Sequence, residues 1–518
     1  MTIAYCLLPT ASYCLLPTAY KLELMLINAE HLLQYQRCKR RPVLDIHGDR
    51  SQRDAPSELL LKLQQDKMLH HHSILTQYTY HQPNYPRGNW EAGQAATLEL
   101  MQHGVEYIYR GVLLANYSQL IDTEPDVNYT LLSRPDLLVK QPGESHLGDW
   151  VYTPVNIELG KRPKQEYQVV TAFHAQVLAR VQGITPSTAW LILRSKNPHY
   201  LVDLSKWTPQ MQVILQEFIQ DLEVTTAPEI FISRQKCNLC LWYSQCYAIA
   251  QSQQHLSLLP GVTPIRYTQL QTLSITTLES LADTNPAILE NLTGFDSQVA
   301  TKLVIQAQSV LEKKPLTFPF PPPKGNITVN APVEIYFDIE AQPDLNLDYL
   351  LGVLVVNKQT NTETFYSFLA EKPEEEEFIW QQFLDLVWQY PEAPIYHFCV
   401  YELDTVKRLA KLYRTPHKSV QPVLNRFIDI YEHLTQTVAL PIESYALKAI
   451  ARWLGFEWRD KEASGAKCIY WYDQWLETGD RTLLEIISRY NEDDCRATRI
   501  VKDWLVTFVQ DKYHLRRA

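Results

Sequence analysis

The chain has 518 residues, 46% of them hydrophobic and 20% charged, more than one core accommodates, so a single small domain is excluded. Its formal charge of -10 and pI of about 5.9 leave no global basic field, so contact with nucleic acid has to come from local grooves or metal-bridged phosphates. No run approaches the ~18 apolar residues of a membrane span, and nine cysteines in so long a chain do not make a small secreted disulfide framework; a soluble, cytoplasmic protein without membrane contact is expected.

Y-C-L-L-P-T-A-S at Tyr5 is followed at once by Y-C-L-L-P-T-A-Y at Tyr13, so residues 1–24 read as an appendage and Met25 as the start of the folded chain. Helical spacing then carries Cys38 to the basic K-R-R. Val105–Leu114, Tyr129–Val139 and Val151–Leu159 are rich in β-branched, aromatic and leucine residues and predict strands. Val170, Phe173, Val177 and Val181 recur at helical steps and predict an amphipathic helix over 164–182. A strand at Ala189–Leu193 and a helix from about Pro209 to Glu223 complete an α/β unit over 25–250, closed by Cys237, Cys240 and Cys246.

Residues 255–312 place L-L-P-G-V and L-T-G-F-D, with Gly261 and Gly294, between short amphipathic helical stretches. Residues 313–330 are too proline-rich for a helix or a central strand and predict a stiff spacer. Beyond it come strand-like runs at Val333–Ile339, Tyr349–Val356 and Glu363–Leu369, and a helix near Pro373 whose glutamate run complements its N-terminus. A strand at Ile395–Phe398 and then mostly helices follow, giving sheet first and helices after over 331–515.

Four carboxylates in this last part point to chemistry. Asp338 and Glu340 in Y-F-D-I-E are two apart on a strand, so both side chains leave one face. Tyr490 and Asp494 in Y-N-E-D-D-C are four apart in helical sequence and share a face that Thr498 and Val501 continue, whereas Asp493 falls off it and reads as a neighbouring surface charge or a partner that supports the ligands, not as a ligand. Glu402 closes H-F-C-V-Y-E. Like charges beside apolar sequence repel and desolvate badly unless divalent cations turn the repulsion into binding, so a metal site is expected.

In order and spacing these motifs resemble the DEDD exonucleases that carry tyrosine in the last motif, a likeness to which I-D-I at Ile428, S-Y-A-L-K at Ser444 and L-G-F-E-W at Leu454 add. The resemblance implies an RNase H-like fold in which Asp338, Glu340, Glu402 and Asp494 bind two Mg²⁺ or Mn²⁺ ions, Tyr490 positions the attacking water, and mononucleotides leave from the 3′ end. The second motif departs from the family: His397 stands at the asparagine position and Tyr401-Glu402 at the aromatic-aspartate, with Asp404 as the alternative carboxylate.

C-N-L-C-L-W-Y-S-Q-C groups Cys237, Cys240 and Cys246, and Cys38 is the only earlier cysteine outside the duplicated leader. Three clustered thiolates and one distant one complete a four-cysteine site open to an iron-sulfur cluster or zinc, the uneven spacing favouring the first. The arrangement resembles the RecB-like and CRISPR-associated nucleases, which implies a [4Fe-4S] cluster stapling a PD-(D/E)xK domain. Cys399, Cys468 and Cys495 lack such grouping and read as small buried hydrophobes.

Between the cysteine anchors, Asp136 in S-R-P-D-L-L matches the first acid of the PD-(D/E)xK pattern. The acid-x-lysine pair is damaged: Asn156 stands where the acid belongs and Glu158 where the lysine belongs, leaving Glu158 and Lys161 as shifted substitutes. Tyr167-Gln168 matches the supporting motif on the next helix, and a domain that binds DNA without cutting is the favoured reading of this possible second nuclease site. His70, His71 and His72 cannot all face one metal from a regular element and predict a solvated face.

As a whole the chain resembles bacterial proteins that fuse a restriction-endonuclease-like α/β domain, a small all-α helix-hairpin-helix domain and an RNase H-like α/β domain. The hairpins at Gly261 and Gly294 offer either backbone amides to phosphates or simple helical packing. A metal-dependent DNA exonuclease is expected. The competing readings are a nucleic-acid-binding scaffold with silent sites and an RNA exonuclease, since nothing visible reads a 2′-hydroxyl.

Overall fold

A computed structural model describes residues 25–120, 129–224, 226–321, 323, 327 and 331–515. The duplicated stretch at 1–24 and part of the proline-rich segment lie outside them. The chain divides into two compact units, one of the described residues up to Ile230 with Asn238–Ser244, the other of Phe231–Cys237 with the described residues from Gln245 onward. Among the described residues no helix is long and apolar enough to cross a membrane.

The first unit begins with β1 (Met25–Asn28) and α1 (Ala29–Arg37), followed by the long α2 (Glu58–Leu75). Two of the predicted strands break in half. Val105–Leu114 becomes β2 (Tyr107–Tyr109) and β3 (Leu113–Asn116), separated at Arg110, which has φ of 51°. Tyr129–Val139 becomes β4 (Tyr129–Ser133) and β5 (Leu137–Ser145), separated at Pro135, whose ring cannot donate to a ladder. The halves join different sheets: β1-β4-β3 makes a three-stranded sheet, while β2 and β5 pair with β6 (Gly148–Glu158), β7 (Trp190–Leu193) and β8 (His199–Leu201) in the order β2-β5-β6-β7-β8. The break also sets Asp136 at the head of β5, where its Oδ2 accepts from the Ile157 backbone N–H at 2.7 Å.

Helix α3 (Gln165–Gln182) was expected to be amphipathic, yet Tyr167–Ala175 is an unbroken buried run. It packs against both sheets as well as α1 and α4 (Leu204–Glu223), so little of its circumference faces solvent. A helix enclosed on several sides has no polar face to display.

The second unit opens with a helical segment that has its own core, including Leu256, Leu270, Leu281 and Leu303. Within it lie α5 (Pro264–Thr272) and α6 (Ser297–Glu312). The predicted spacer that follows is not free at its start: β9 (Leu316–Thr317) pairs antiparallel with Val438–Ala439, and Gln306 Nε2 of α6 donates to Leu440 O at 2.6 Å. Short pairing of this kind leaves no hydrophobic periodicity in the sequence, which is why composition alone pointed to a linker.

The larger sheet of this unit runs β12-β11-β10-β13-β14, with β10 at Val333–Gln342, β11 at Leu347–Asn357, β12 at Thr362–Leu369, β13 at Ile395–His397 and β14 at Phe427–Asp429. The first three strands are antiparallel and the last two parallel to β10 and to each other. Helix α7 (Glu376–Gln389) packs on β11, and the 35-residue α12 (Arg481–Leu515) packs on β10 and β11. Covered on both faces, β11 is buried from Leu347 to Val356 and, apart from Asp348, reads as an apolar run. Between them in the chain come α8 (Tyr401–Leu412), α9 (Ile430–Thr437), α10 (Leu447–Trp453) and α11 (Gly465–Thr478).

Candidate active site

On β10, Asp338 and Glu340 leave the same face and meet Asp494 from α12, with one oxygen of each carboxylate within 4.8 Å of the others. Glu340 is 6% exposed and Asp494 9%. At 4.8 Å, each ionised pair repels by about 3.5 kcal/mol at an effective dielectric of about 20. Burial first, and the neighbouring carboxylates second, hold Asp338 and Glu340 well above the usual carboxylate range. Burial likewise pushes Asp494 up to about 7, against the pull of its hydrogen bonds from Trp458 and Tyr490. Oxygen donors so crowded and dehydrated suit divalent Mg²⁺ or Mn²⁺, which relieve the repulsion that protons otherwise must.

Two of the three carboxylates are held by a neighbour. Trp458 Nε1 donates to Asp494 Oδ1 at 2.7 Å, and Asn491 Nδ2 donates to Asp338 Oδ2 at 2.7 Å. Gly352 of β11 lies opposite Asp338 in the ladder, and a Cβ there would sit 1.5 Å from Asn491 Oδ1, so the close approach of helix to sheet requires glycine. Asp493, expected as a neighbouring surface charge or a supporting partner, is 3% exposed and holds Arg459 through Nε at 2.8 Å and the backbone N–H at 2.9 Å. It fixes the segment that presents Trp458. Tyr490 is 8% exposed, and burial pushes its phenol far up, so it keeps its proton at neutral pH. Lys448 lies over the rings of Trp458 and Tyr490, at 5.3 and 5.2 Å, and donates to Ala463 O.

Glu402 heads α8 and is 4% exposed. Its charge reaches Asp338 and Glu340, but it stands outside the 4.8 Å group. Its Oε2 lies 3.5 Å from Nδ1 of His397, the residue at the family's asparagine position, and that nitrogen also meets Cys399 O at 2.5 Å. Cys399 is held at φ of 77°, a conformation that costs a non-glycine residue about 1–3 kcal/mol and gathers at functional sites. The start of α8 is tied to β11 by Tyr401 Oη donating to Asp348 Oδ1 at 2.9 Å and by Arg408, which pairs with Asp348. Asp404, the alternative carboxylate, is exposed and paired with Lys407 at 3.0 Å. Cys468 and Cys495 are fully buried, as small hydrophobes would be.

In the first unit, Asp136 and Glu158 gather a second group of charges. Lys67 Nζ lies 3.6 Å from Glu158 Oε2, and His71 Nδ1 lies 3.6 Å from Asp136 Oδ1. His71 thus departs from the solvated face expected of the three histidines: it is 5% exposed and its Nε2 donates to Ile157 O at 2.9 Å, while His72 is exposed. The alternation of α2 explains this, since consecutive helical residues are ~100° apart and only one can face the sheet. Burial pushes Glu158 up to about 7 despite Lys67. Asn156 is 5% exposed with its Oδ1 unpartnered, Gln168 Nε2 donates to Pro163 O at 3.0 Å, and Lys161 is exposed.

Cys38, Cys237, Cys240 and Cys246 are all half-buried. Burial raises the Cys240 thiol, and Cys38 is near enough to add to the effect. Gly261 and Gly294 both take the left-handed conformation, at φ of 90° and 86°. Arg266 of α5 ties the two turns together, donating to Gly261 O at 2.7 Å and Gly294 O at 2.8 Å.

Asn491, Gly352 and Arg459 escaped sequence reasoning, because their roles depend on which helix face meets which strand. Trp458 and Lys448 carried a signal, as the last residues of L-G-F-E-W and S-Y-A-L-K.

A family model described as the RNase_H superfamily matches residues 335–506, which takes in all but the first two residues of the larger sheet's strands and all three grouped carboxylates. This region is therefore an RNase_H-superfamily domain of α/β fold with a candidate metal-binding cluster, consistent with a metal-dependent nuclease. Comparison with curated proteins gives no match. Among solved structures, the crystal structure of SSO0001 is 10% identical, with 43% of this chain and 86% of that chain covered and a TM-score of 0.22.

Proposed function

We propose that the chain is a metal-dependent 3′-to-5′ exonuclease acting on DNA through its RNase H-like domain, with the N-terminal domain binding the strand. The observation that carries this reading is the buried meeting of Asp338, Glu340 and Asp494 within 4.8 Å. These three, with Glu402 from the head of α8, would hold two Mg²⁺ or Mn²⁺ ions. Ions so held would supply a lowered pKa for an attacking water and charge stabilisation for a leaving 3′ oxygen. Trp458 engages one oxygen of Asp494 and Asn491 one oxygen of Asp338, which would leave the other oxygen of each carboxylate to hold a cation. Tyr490, protonated and hydrogen-bonded to Asp494, positions the water and does not act as its base. Asp338→Ala should abolish Mn²⁺-dependent degradation of an end-labelled single strand, whereas Asn156→Ala should leave it intact; survival of activity in the former overturns the assignment.

The N-terminal domain is read as a PD-(D/E)xK fold whose Cys38, Cys237, Cys240 and Cys246 hold a [4Fe-4S] cluster, with zinc as the rival. Anaerobically purified protein should be brown with absorption near ~400 nm, while colourless protein with stoichiometric zinc decides for the other. The turns at Gly261 and Gly294 would offer backbone amides to phosphates without reading sequence.

One observation favours a second centre at Asp136 and Glu158. His71 Nε2 must donate to the Ile157 carbonyl, so neutral His71 turns its Nδ1 lone pair toward Asp136 Oδ1 at 3.6 Å. A proton on Nδ1 would make the contact an imidazolium–carboxylate ion pair, whereas the neutral form would leave two acceptors that a divalent ion taking imidazole and carboxylate together, such as Mn²⁺, would bridge.

A further inference from the structure

We infer that Tyr349 is the positioning residue for Glu340, its buried hydroxyl serving as the donor for the Glu340 carboxylate when that carboxylate holds a cation. The inference rests on the reading that Asp338, Glu340 and Asp494 bind divalent cations, and goes beyond it by naming a donor for the third carboxylate. Trp458 donates to Asp494 and Asn491 donates to Asp338, whereas among the described residues none donates to Glu340. A carboxylate that gives one oxygen to a cation is steadied when its other oxygen accepts a hydrogen bond.

Tyr349 stands where β11 bulges against β10. Glu340 pairs with Leu350 and Ala341 with Asp348, so Tyr349 and Leu350 together oppose the single residue Glu340. The ring of Tyr349 lies flat on that of Tyr472 from α11, with centroids 3.9 Å apart and planes 5° from parallel, and both side chains are fully buried. The two hydroxyls differ in what they do. Tyr472 Oη donates to Ala370 O at 2.9 Å, while the Tyr349 hydroxyl has no partner. A buried hydroxyl left unpaired costs free energy that a phenylalanine in its place would not. The carboxylate whose charge reaches this phenol most strongly is Glu340, and burial with that charge holds the phenol well above its usual range, so it remains a donor. Stacking fixes the phenol oxygen and leaves only its hydrogen free to swing; the longer Glu340 side chain supplies the movement that closes the bond. A hydrogen bond to an ionised carboxylate is stronger than one between neutral groups, which gives the spare hydroxyl its use.

The test titrates the full chain with Mn²⁺ alone by calorimetry, and reads the binding that Asp338→Ala abolishes. Tyr349→Phe removes one oxygen and keeps the packed ring. It should weaken that binding by about 10-fold or more, while the Tm in chelator stays level or rises because an unpaired hydroxyl is lost. Tyr472→Phe deletes a hydroxyl that is paired and should do the reverse, lowering the Tm in chelator and leaving Mn²⁺ affinity within about two-fold of the parent. Mn²⁺ affinity that Tyr349→Phe leaves within about two-fold of the parent overturns the inference and spares the cation reading. A Tm in chelator that falls as far in Tyr349→Phe as in Tyr472→Phe also overturns it, because the hydroxyl then serves the fold. If Asp338→Ala costs no Mn²⁺ binding, the cation reading itself fails and the inference with it.

Discussion

At the scale of single residues, the centre depends on side chains that never touch a cation. Asn491 is fully buried and gives one hydrogen bond to Asp338, and the space it fills exists because residue 352 is glycine. Gly352→Ala should therefore destabilise the domain by roughly 1–3 kcal/mol through overpacking and lower activity as Asn491 is driven off Asp338. Urea denaturation and rate measured together check this, and a variant as stable and as active as its parent would show that Asn491 is not needed there. Much of the carboxylate set was legible in the sequence, because Asp338 and Glu340 two apart on a strand, and Tyr490 and Asp494 four apart on a helix, advertise shared faces. The groups that orient them were less legible: Asn491 is adjacent to Tyr490 in the chain but serves a different carboxylate, and the sequence left Asp493 open between a surface charge and a supporting partner until Arg459 is seen closing over it. In the first unit the same limit hid His71 and Lys67, since a helix some seventy residues upstream of Asp136 gives no local sign of where it will lie.

At the scale of elements, β10 and α12 carry the three grouped carboxylates, so charge at their contact decides how well strand and helix adhere. Asp338 and Glu340 in the fold sit well above their unfolded values, and Asp494 stands at about 7. The folded state thus binds more protons than the unfolded chain between about pH 4 and 7, and without a cation its stability falls as pH rises through that window. Mg²⁺ should reverse the trend. Thermal unfolding in Mg²⁺ against chelator should show a larger gain in Tm at pH 8 than at pH 5.5, where protons already neutralise the acids; a gain equal at both values would contradict the electrostatic account. The sequence announced β10, β11 and β12 within a few residues, because apolar runs bounded by turns survive translation into strands. It missed the breaks at Arg110 and Pro135, where one apolar run serves two sheets, and the local pattern holds no mark of which sheet a strand will join.

At the scale of the whole molecule, the RNase_H-superfamily region at residues 335–506 is the part of the chain for which cutting is proposed. The RNase H-like domain presents three dehydrated carboxylates in mutual contact range, and the N-terminal domain presents two acids already accompanied by Lys67 and His71. The first arrangement is unstable without divalent cations and the second is partly neutralised, which is why the main activity is assigned to the C-terminal domain. The most direct measurement is a time course of mononucleotide release from a 3′-labelled single strand in Mn²⁺, comparing the native chain with Asp338→Ala/Asp494→Ala. The account predicts stepwise release from the labelled end by the native chain, halted by chelator and lowered at least about 1,000-fold in the double variant. Undiminished release from the variant, or a native chain that degrades the strand equally well in chelator, would contradict it.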